Sequence, residues 1–241
     1  MKKPEMIFFD YGHTLIYEPE FDGICGTKAV MEHALKNPDN LTVDVINKRS
    51  LEMFEDIGKT VRSQGMEIHN LMFQRLLYES LGIELSLTPL ECERIFWDNA
   101  SPGKAMPYAK DMLDYLESQS IRTGVISNIA FSGEALKDRL DKLLPNNHFE
   151  FVIASSEYVY RKPHPLIFEV ALQKACLRKE EVWFCGDNIQ ADILGAHNVG
   201  IFPVWYESDL VCSYKQKEQT NPSCDHLHIM SWLELIQILK V

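Results

Sequence analysis

The sequence predicts an α/β fold with a parallel sheet and a smaller all-helical domain inserted near the amino terminus. Two observations lead to this fold class. Strand-like apolar runs alternate with helical patterns in the second half of the chain, as in parallel strands that are joined by right-handed crossovers. A long helical stretch interrupts this alternation after the first strand. We therefore assign residues 1–16 and 101–241 to the α/β core and residues 17–100 to the helical domain.

The first element is an apolar strand at residues 6–9, and it is followed by Asp10. This position puts the carboxylate at the carboxyl edge of a buried strand, where open α/β sheets bind ligands. Considered alone, an Asp that caps a strand-to-helix turn is the commoner interpretation. Three later stretches of the core favour a functional role for Asp10 over this interpretation.

The inserted stretch has apolar residues at helical spacing. They include Leu51, Phe54, Ile57, Leu71, Met72, Leu76, Leu77 and Leu81. The stretch ends near residues 99–103, where Pro102 and Gly103 are typical of a hinge. We predict a separate helical unit that is connected to the core at this hinge.

The core resumes with a helix that begins at Pro107. The apolar face of this helix consists of Met112, Leu113 and Leu116. Strands are predicted near residues 121–127, 149–154, 181–186 and 200–205. A closing amphipathic helix is predicted from the apolar stripe Trp232, Leu235, Ile236 and Leu239.

Two polar residues, Ser127 and Asn128, end the second predicted strand of the core. A serine hydroxyl can donate a hydrogen bond to an anion without adding negative charge. A helix cap for the following segment is an equally good interpretation.

Lys162 lies in the stretch Arg-Lys-Pro-His-Pro at residues 161–165, which opens a helix with apolar periodicity. Pro163 favours an extended backbone at Lys162, and Pro165 suits the first helical turn. Lys162 is therefore expected at the positively polarised start of a helix, where it can bind an anion. For an isolated Lys-Pro pair, a solvated loop lysine would be the commoner case.

Asp187 and Asp192 follow the strand that is predicted near residues 181–186. On one continuous helix, side chains five residues apart would point roughly 140° away from each other. They converge if Asp187 lies on the loop after the strand and Asp192 lies in the first turn of the next helix. Convergent carboxylates repel each other, so a hard divalent cation is the natural compensation. Acidic residues that are favoured by the helix dipole are the alternative.

Four stretches occur in this order along the chain: Asp-x-x-x-Thr-Leu, a strand ending in Ser, Lys-Pro, and Gly-Asp-x-x-x-x-Asp-Ile-x-Gly-Ala. Together they resemble the haloacid dehalogenase superfamily of phosphatases and related hydrolases. The matching frame runs from Met6 to Ile201. The resemblance implies a Rossmann-like core and a helical cap, inserted after the first motif, that closes over the active site.

The resemblance also implies roles for the matching residues. Asp10 would be the nucleophile that forms an aspartyl-phosphate, and Ser127 would hold a phosphoryl oxygen. Lys162 would neutralise the nucleophile and the transferring group. Tyr11 and Asn128, which adjoin the motif residues, are further candidates for substrate binding.

A magnesium site is the second implication of the resemblance. Asp187 would ligate the ion together with Asp10, and Asp192 would be a further ligand or an acceptor beside it. Family members also use the backbone carbonyl two residues after the nucleophile, and Gly12 retains a carbonyl.

The first motif departs from the family pattern at two positions. Family phosphatases have a second Asp two residues after the nucleophile, which protonates the leaving oxygen and then activates water, whereas this chain has Gly12. The usual following glycine is His13. Because the unperturbed pKa of histidine lies near neutrality, His13 is a candidate to replace part of the missing acid and base.

Three functions are compatible with these residues. The first is magnesium-dependent phosphoryl transfer from a small phosphomonoester through Asp10, slowed by the missing carboxylate. The second is carbon-halogen or carbon-phosphorus cleavage by Asp10, although Asp187 and Asp192 count against a metal-free halide reaction. The third is a catalytically silent protein that binds anions and has a regulatory role.

Composition narrows the class of partner. The chain of 241 residues has a formal net charge of -11, which argues against binding to nucleic acid or anionic membranes. Its apolar runs are shorter than a membrane span and its amino terminus leads straight into a strand, so we expect a cytoplasmic protein without a signal peptide. A large cap favours a small soluble phosphorylated metabolite over a protein substrate.

The 6 cysteines contain no Cys-x-x-Cys pair, which favours free thiols over a zinc site. A polar stretch near the carboxyl end gathers Cys212, Cys224, Asp225, His226 and His228. The Ser, Lys, Gln and Asn residues around them are typical of a surface loop, so we do not expect a metal cluster there.

Overall fold

The computed structural model describes residues 2–145, 147–213 and 221–240. The strands within these residues are β1 (Met6–Phe9), β2 (Ile16–Tyr17), β3 (Ala34–Lys36), β4 (Glu84–Leu85), β5 (Lys104–Ala105), β6 (Arg122–Ser127), β7 (Phe149–Ala154), β8 (Val182–Gly186), β9 (Phe202–Tyr206) and β10 (Leu227–Ile229). Six of the described strands form the main sheet in the order β10-β9-β8-β1-β6-β7, and every pairing in it is parallel.

The α-helices are α1 (Gly23–Met31), α2 (Val43–Met53), α3 (Lys59–Ser63), α4 (Asn70–Ser80), α5 (Pro89–Ala100), α6 (Ala109–Ser118), α7 (Gly133–Leu143), α8 (Ser155–Tyr158), α9 (Pro165–Ala175), α10 (Gly195–Val199) and α11 (Trp232–Lys240). A π-helical segment, Phe54–Gly58, joins α2 to α3, and a second one, Ile189–Leu194, leads into α10. A 3-10 turn, Lys179–Glu181, precedes β8.

Strand β1 lies at the centre of the sheet, between β6 and β8. The chain runs from β1 outward to β6 and β7, and it then crosses back to build β8, β9 and β10 on the other side. In open α/β sheets, this change of direction creates a crevice at the carboxyl ends of the strands. The predicted parallel α/β core is confirmed, and its crevice lies where β1 ends at Asp10.

Side chains of β1 alternate between two hydrophobic layers, as the period of a strand requires. Ile7 and Phe9 contact the layer that is covered by α6, α7 and α11. Met6 and Phe8 contact the opposite layer, which is covered by α9 and α10. All four side chains have no exposed surface, so β1 is held rigidly from both faces.

The four later strands of the predicted core agree with the observed strands to within two residues. Strand β10 was not predicted, because it has only three residues and pairs at the edge of the sheet with β9. Its neighbours in sequence are polar, which led to the prediction of a surface loop. The helix expected from Pro107 begins at Ala109, after Tyr108 in a left-handed conformation with φ of 62°.

The insertion between β2 and β5 has a hydrophobic cluster of its own, which includes Val30, Ile46 and Leu77. The prediction that it is all-helical is wrong. Strands β3 and β4 form an antiparallel pair within it, in addition to helices α1 to α5. The pair β2 and β5 forms the stem of the insertion, so a strand crosses the predicted boundary between residues 16 and 17. We refer to residues 17–100 as the cap.

None of the helices that the structure describes is long and apolar enough to cross a lipid bilayer.

Candidate active site

Asp10 is the first residue after β1, and its backbone continues the strand pairing. Its N–H donates a hydrogen bond of 2.9 Å to the carbonyl oxygen of Cys185 in β8. The side chain is 9% exposed, so the carboxylate lies in the crevice with limited access to solvent. A rigid central strand therefore holds Asp10 at the point where a ligand is expected.

Lys162 is the central cation of the site. Its Nζ lies 2.7 Å from Asp10 Oδ1, 2.7 Å from Asp192 Oδ1 and 2.7 Å from the carbonyl oxygen of Ile126. The residue is 3% exposed. Burial alone would lower the pKa of Lys162, but the charges of Asp10 and Asp192 raise the pKa above its ordinary value. Lys162 is therefore a permanent positive charge between two carboxylates.

Asn128 fixes the backbone of Lys162 by two reciprocal hydrogen bonds. Its Nδ2 donates to the carbonyl oxygen of Lys162 at 2.8 Å, and the N–H of Lys162 donates to its Oδ1 at 2.7 Å. Both ends of the amide are thus used within the protein. The structure gives Asn128 a positioning role, and a contact between Asn128 and substrate stays a prediction.

Asp10, Asp187 and Asp192 offer carboxylate oxygens that all lie within 4.8 Å of one another. Asp192 reaches this group from the π-helical segment after β8, where its Oδ2 accepts a hydrogen bond of 3.0 Å from the N–H of Asn188. The approach is so close that a Cβ at Gly186 would lie 2.4 Å from Asp192 Oδ2, so glycine is required there. The expected convergence of the two later aspartates is observed.

The three carboxylates of Asp10, Asp187 and Asp192 together carry more negative charge than Lys162 alone can balance. Burial raises the pKa of Asp192 to about 6, Lys162 opposes this effect, and Asp10 adds to it. Three carboxylates of this kind are the hard oxygen ligands that Mg²⁺ prefers. The residues therefore fit a magnesium ion, which would relieve the repulsion among them.

Gly12 and His13 have backbone conformations opposite to what their identities suggest. The φ of His13 is 57°, in the left-handed region that favours glycine. Gly12 is outside that region, and a Cβ built on it has no atom of the described residues within 4 Å. The His13 ring lies edge-on to Tyr17 at 6.1 Å between centroids. Its role as an acid or base stays a prediction.

Ser127 and Tyr11 occupy different surroundings. Ser127 ends β6 beside β1 and is 3% exposed, at the same sheet edge as Asp10. Tyr11 is 2% exposed, and its hydroxyl donates to Glu18 Oε1 at 3.0 Å and accepts from Arg139 Nε at 2.7 Å. Its polar atom is thus engaged within the protein, and a substrate contact for Tyr11 stays a prediction.

Three charged residues around the loop that leads into Lys162 had no role in the sequence-based prediction. Arg62 and Glu67 come from the cap, and Arg161 directly precedes Lys162. Glu67 forms ion pairs with both arginines. Nothing in the sequence distinguishes Arg62 and Glu67 from other charged residues of the cap, whereas the position of Arg161 next to the Lys-Pro pair was an available signal.

Comparison with known proteins agrees with this geometry. A family model described as haloacid dehalogenase-like hydrolase matches residues 94–205. A glyceraldehyde 3-phosphate phosphatase from Methanothermobacter thermautotrophicus is 31% identical over 217 residues, which is 89% of this chain and 91% of the relative. The pyrimidine 5'-nucleotidase PynA of Streptococcus pneumoniae is 25% identical over 218 residues, which is 90% of this chain and 89% of the relative.

Among solved structures, a HAD phosphatase from Thermococcus onnurineus is similar with a TM-score of 0.61. Its identity to this chain is 19%, and the match covers 97% of each chain. The fold of the core and the cap together is therefore similar to that of a known protein over nearly its whole length.

Proposed function

Because this chain belongs to the haloacid dehalogenase-like hydrolase family, we propose that it hydrolyses small phosphomonoesters through an aspartyl-phosphate on Asp10, with magnesium bound. One observation carries this proposal. Lys162 Nζ lies 2.7 Å from both Asp10 and Asp192, and it thereby joins the proposed nucleophile to one carboxylate of the proposed metal site. The substrates in the names of the two relatives, glyceraldehyde 3-phosphate and pyrimidine 5'-nucleotides, are small phosphomonoesters.

In the first step, a carboxylate oxygen of Asp10 attacks phosphorus. The new bond between oxygen and phosphorus forms as the ester bond breaks, and the electron pair leaves with the alkoxide. In this proposal, the Lys162 ammonium neutralises charge on Asp10 and on the transferring oxygens, which is supported by its distance of 2.7 Å from Asp10 Oδ1. The Ser127 hydroxyl donates a hydrogen bond to one of those oxygens.

In the second step, water attacks the phosphorus of the aspartyl-phosphate, and phosphate leaves from the regenerated Asp10 carboxylate. Splitting one displacement into two is the usual advantage of a covalent intermediate. Magnesium would be held by Asp10, Asp187, Asp192 and the carbonyl of Gly12, and when bound it would supply positive charge to the phosphoryl oxygens. The carboxylate group beside Asp10 favours this reaction over metal-free carbon-halogen cleavage.

The absence of a carboxylate at Gly12 affects both steps. The leaving alkoxide of the first step needs a proton, and the attacking water of the second step must lose one. Positioned acid and base catalysis is worth on the order of 100- to 10,000-fold. We therefore expect slow turnover, most of all for alkyl esters, whose leaving groups are poor.

Substitution of Asp10 by Asn tests the proposed function. The amide keeps the size of the side chain but is not a nucleophile, so hydrolysis of an aryl phosphate should fall to background. The assay is product release with and without magnesium, and wild-type activity should require the ion. Asp114→Asn, at an exposed position on α6, is the matched control and should keep wild-type turnover. Full activity of the Asp10→Asn protein would exclude the covalent mechanism.

A further inference from the structure

The cap contacts the loop of Lys162 through its backbone. Two backbone hydrogen bonds join the two segments, from the N–H of Glu67 to the carbonyl of Val159 at 2.7 Å and from the N–H of Arg161 to the carbonyl of Gly65 at 2.9 Å, and together they form an antiparallel β-bridge between Met66 and Tyr160. A short stretch of the cap is thereby fixed to the residues that lead directly into Lys162. Arg161, at this junction, is the residue that directly precedes Lys162.

Glu67 is the buried centre of the junction, and its side chain has no exposed surface. Its Oε1 accepts from Arg62 Nε at 2.9 Å, and its Oε2 accepts from Arg161. Two guanidinium groups thus share one carboxylate. The cluster has an excess of one positive charge, in a protein whose formal net charge is -11.

Both guanidinium groups retain unused donors. Arg62 uses Nε for Glu67 and lies over the Phe54 ring at 4.8 Å, and Arg161 uses one terminal nitrogen. For their remaining N–H groups, the described residues supply no acceptor. The side chains are 35% and 22% exposed, so neither guanidinium group is fully buried.

The electrostatics of Arg161 favour an additional anion. Burial and the neighbouring charge of Arg62 lower the pKa of Arg161 to about 10, and the carboxylate of Asp10 acts in the opposite direction. The charge of Asp10 thus acts on the Arg161 guanidinium, which directly precedes Lys162 in the chain. An anionic group of a ligand would neutralise the excess positive charge of the cluster formed by Arg62, Arg161 and Glu67.

The loop that presents Arg161 is also strained. Val159 has φ of 66° and ψ of -53°, and a hydrogen bond of 2.7 Å runs from the N–H of Tyr160 to the carbonyl of Tyr158. This is a tight γ-turn with a β-branched residue at its centre, which is a rare and costly conformation. Backbone strain of this kind concentrates at functional sites, where it fixes a required geometry.

We propose that Arg62 and Arg161 form a second anion subsite, which selects phosphomonoesters whose remaining part carries a carboxylate or a second phosphate. This proposal rests on the proposed function, because the phosphoryl group must occupy the site of Asp10 and Lys162. One arginine comes from the cap and the other from the core.

A set of three-carbon esters tests the subsite. The set is propyl phosphate, phosphonooxypropanoate and propanediol bisphosphate, which differ only in the group at the far end. Charge-assisted hydrogen bonds to a partly buried guanidinium discriminate by about 10- to 100-fold. For the wild-type protein, we expect kcat/KM for at least one of the two anionic esters to be higher than kcat/KM for propyl phosphate by that factor. Which of them is preferred identifies a carboxylate or a phosphate as the recognised group.

Arg62→Gln should remove this preference, so that kcat/KM for the preferred anionic ester falls by about 10-fold or more relative to kcat/KM for propyl phosphate. Arg62→Lys, which keeps the charge, should restore part of the preference. Arg49→Gln is the matched control, since Arg49 is a half-exposed arginine of the same cap. If Arg62→Gln lowers kcat/KM for all three esters equally, together with Tm, the cluster is a structural contact between cap and core and the proposal is wrong.

Calorimetry on the Asp10→Asn protein separates this proposal from the proposed function. Here binding is measured without turnover, and phosphonooxypropanoate or the bisphosphate should bind at least about 10-fold more tightly than propyl phosphate. The added Arg62→Gln substitution should abolish the difference. Selective binding without hydrolysis by wild type would retain the subsite and reject the phosphatase. Hydrolysis of all three esters at one rate, with equal binding, would reject the subsite and retain the phosphatase.

Discussion

His13, rather than Gly12, occupies the backbone conformation that glycine adopts most easily. The φ of His13 is 57°, whereas Gly12 lies outside the positive region and has open space where a Cβ would be. The family pattern has Asp and Gly at these two positions, so the structure retains the backbone geometry that this pattern requires. The missing carboxylate is therefore a change of side chain alone, which substitution can reverse.

Gly12→Asp should fold normally and should accelerate hydrolysis. The new carboxyl group can protonate the leaving oxygen, and this matters most when the leaving group is a poor one. We expect kcat for an alkyl phosphate to rise at least about 10-fold, and more than kcat for an aryl phosphate. Steady-state kinetics on the two esters measures this difference.

His13→Asn serves as the parallel variant for this prediction. A loss of alkyl phosphate turnover in His13→Asn would assign the proton transfer to histidine. If Gly12→Asp folds, binds magnesium and gains nothing on the alkyl ester, while His13→Asn also changes nothing, the proposed phosphatase mechanism is wrong.

The sequence predicted the convergence of residues that lie at the ends of parallel strands, but it did not predict side-chain partners from other elements. Asp10, Lys162, Asp187 and Asp192 are close in the structure because each follows or faces the carboxyl end of a parallel strand. The partners of Tyr11 and Asn128 were not predictable in this way. They depend on side chains and backbone from distant elements, such as Arg139 on α7.

At the scale of elements, the short segments between the regular strands and helices decide how the site is held. The turn at Val159 illustrates this, because its strained backbone is bound by the N–H of Glu67 from the cap. The β3 and β4 pair illustrates the limit of sequence periodicity. Strands of three and two residues are too short to show a period of two within a helical pattern, so the cap was predicted to be all-helical.

Val159→Gly should stabilise the protein. Glycine adopts positive φ without the steric cost that a β-branched residue has, which is on the order of 1–3 kcal/mol. The greater entropy of glycine in the unfolded chain offsets about 0.5–1 kcal/mol of this gain. We expect the free energy of unfolding to rise by about 1 kcal/mol, as measured by urea denaturation. Val159→Ala keeps a Cβ and should show no such gain, and equal behaviour of the two variants would contradict a strained turn.

Glu93 connects α5 of the cap to the start of α7 in the core. Its carboxylate accepts from the N–H of Ser132 at 3.1 Å and from the hydroxyl of the same residue, and Glu93 has no exposed surface. Burial raises the pKa of Glu93 above the ordinary value of 4.5, although the bonds from Ser132 oppose this shift. An acid with a raised pKa in the folded state destabilises the fold as pH rises, since the unfolded chain ionises first.

The free energy of unfolding should therefore lose a contribution between pH 4.5 and the raised pKa of Glu93, and this loss should be complete above that pKa. Glu93→Gln is neutral at every pH and therefore lacks this pH-dependent loss. The difference in Tm between the variant and the wild type (variant minus wild type) should increase as pH rises through this window. Glu79→Gln, at an exposed position on α4, should show a constant difference. A constant difference for Glu93→Gln as well would mean that its carboxyl group has the same pKa in both states.

At the scale of the whole molecule, polar contacts join cap and core around the crevice. Besides the bonds of Glu93, they include Arg139 with Asp98 at 2.8 Å and the N–H of Asn70 with the carbonyl of Ala130 at 2.8 Å. The interface also has an apolar part, because the Trp97 ring of the cap stacks on the Phe131 ring of the core at 4.0 Å between centroids. The sequence predicted that a cap exists, but it could not predict these contacts, because they depend on how the two parts dock.

The net charge of the molecule opposes its proposed substrate. With a formal net charge of -11, the protein as a whole repels phosphate esters, so attraction has to come from the site itself. Lys162, the two arginines at the cap junction and a bound divalent cation are the charges available for this. Substrate binding therefore depends on a few local cations. The lysine and the arginines can be tested by mutation, and the metal ion can be tested by its removal.

A covalent phosphoryl group on Asp10 is the most direct consequence of the proposed chemistry. Without a carboxylate at Gly12, the attack of water on the aspartyl-phosphate lacks its usual base, whereas an aryl leaving group needs little protonation. The second step should then be slower than the first. The intermediate should accumulate when an aryl phosphate is mixed with an excess of magnesium.

Rapid acid quench followed by intact-mass and peptide mass spectrometry measures this intermediate. We predict a burst of aryl alcohol equal to the amount of protein, together with a mass increase of one phosphoryl group on the peptide that contains Asp10. The Asp10→Asn protein should show neither. Steady hydrolysis without a burst and without labelled Asp10, or a phosphoryl group on another residue, would contradict nucleophilic catalysis by Asp10.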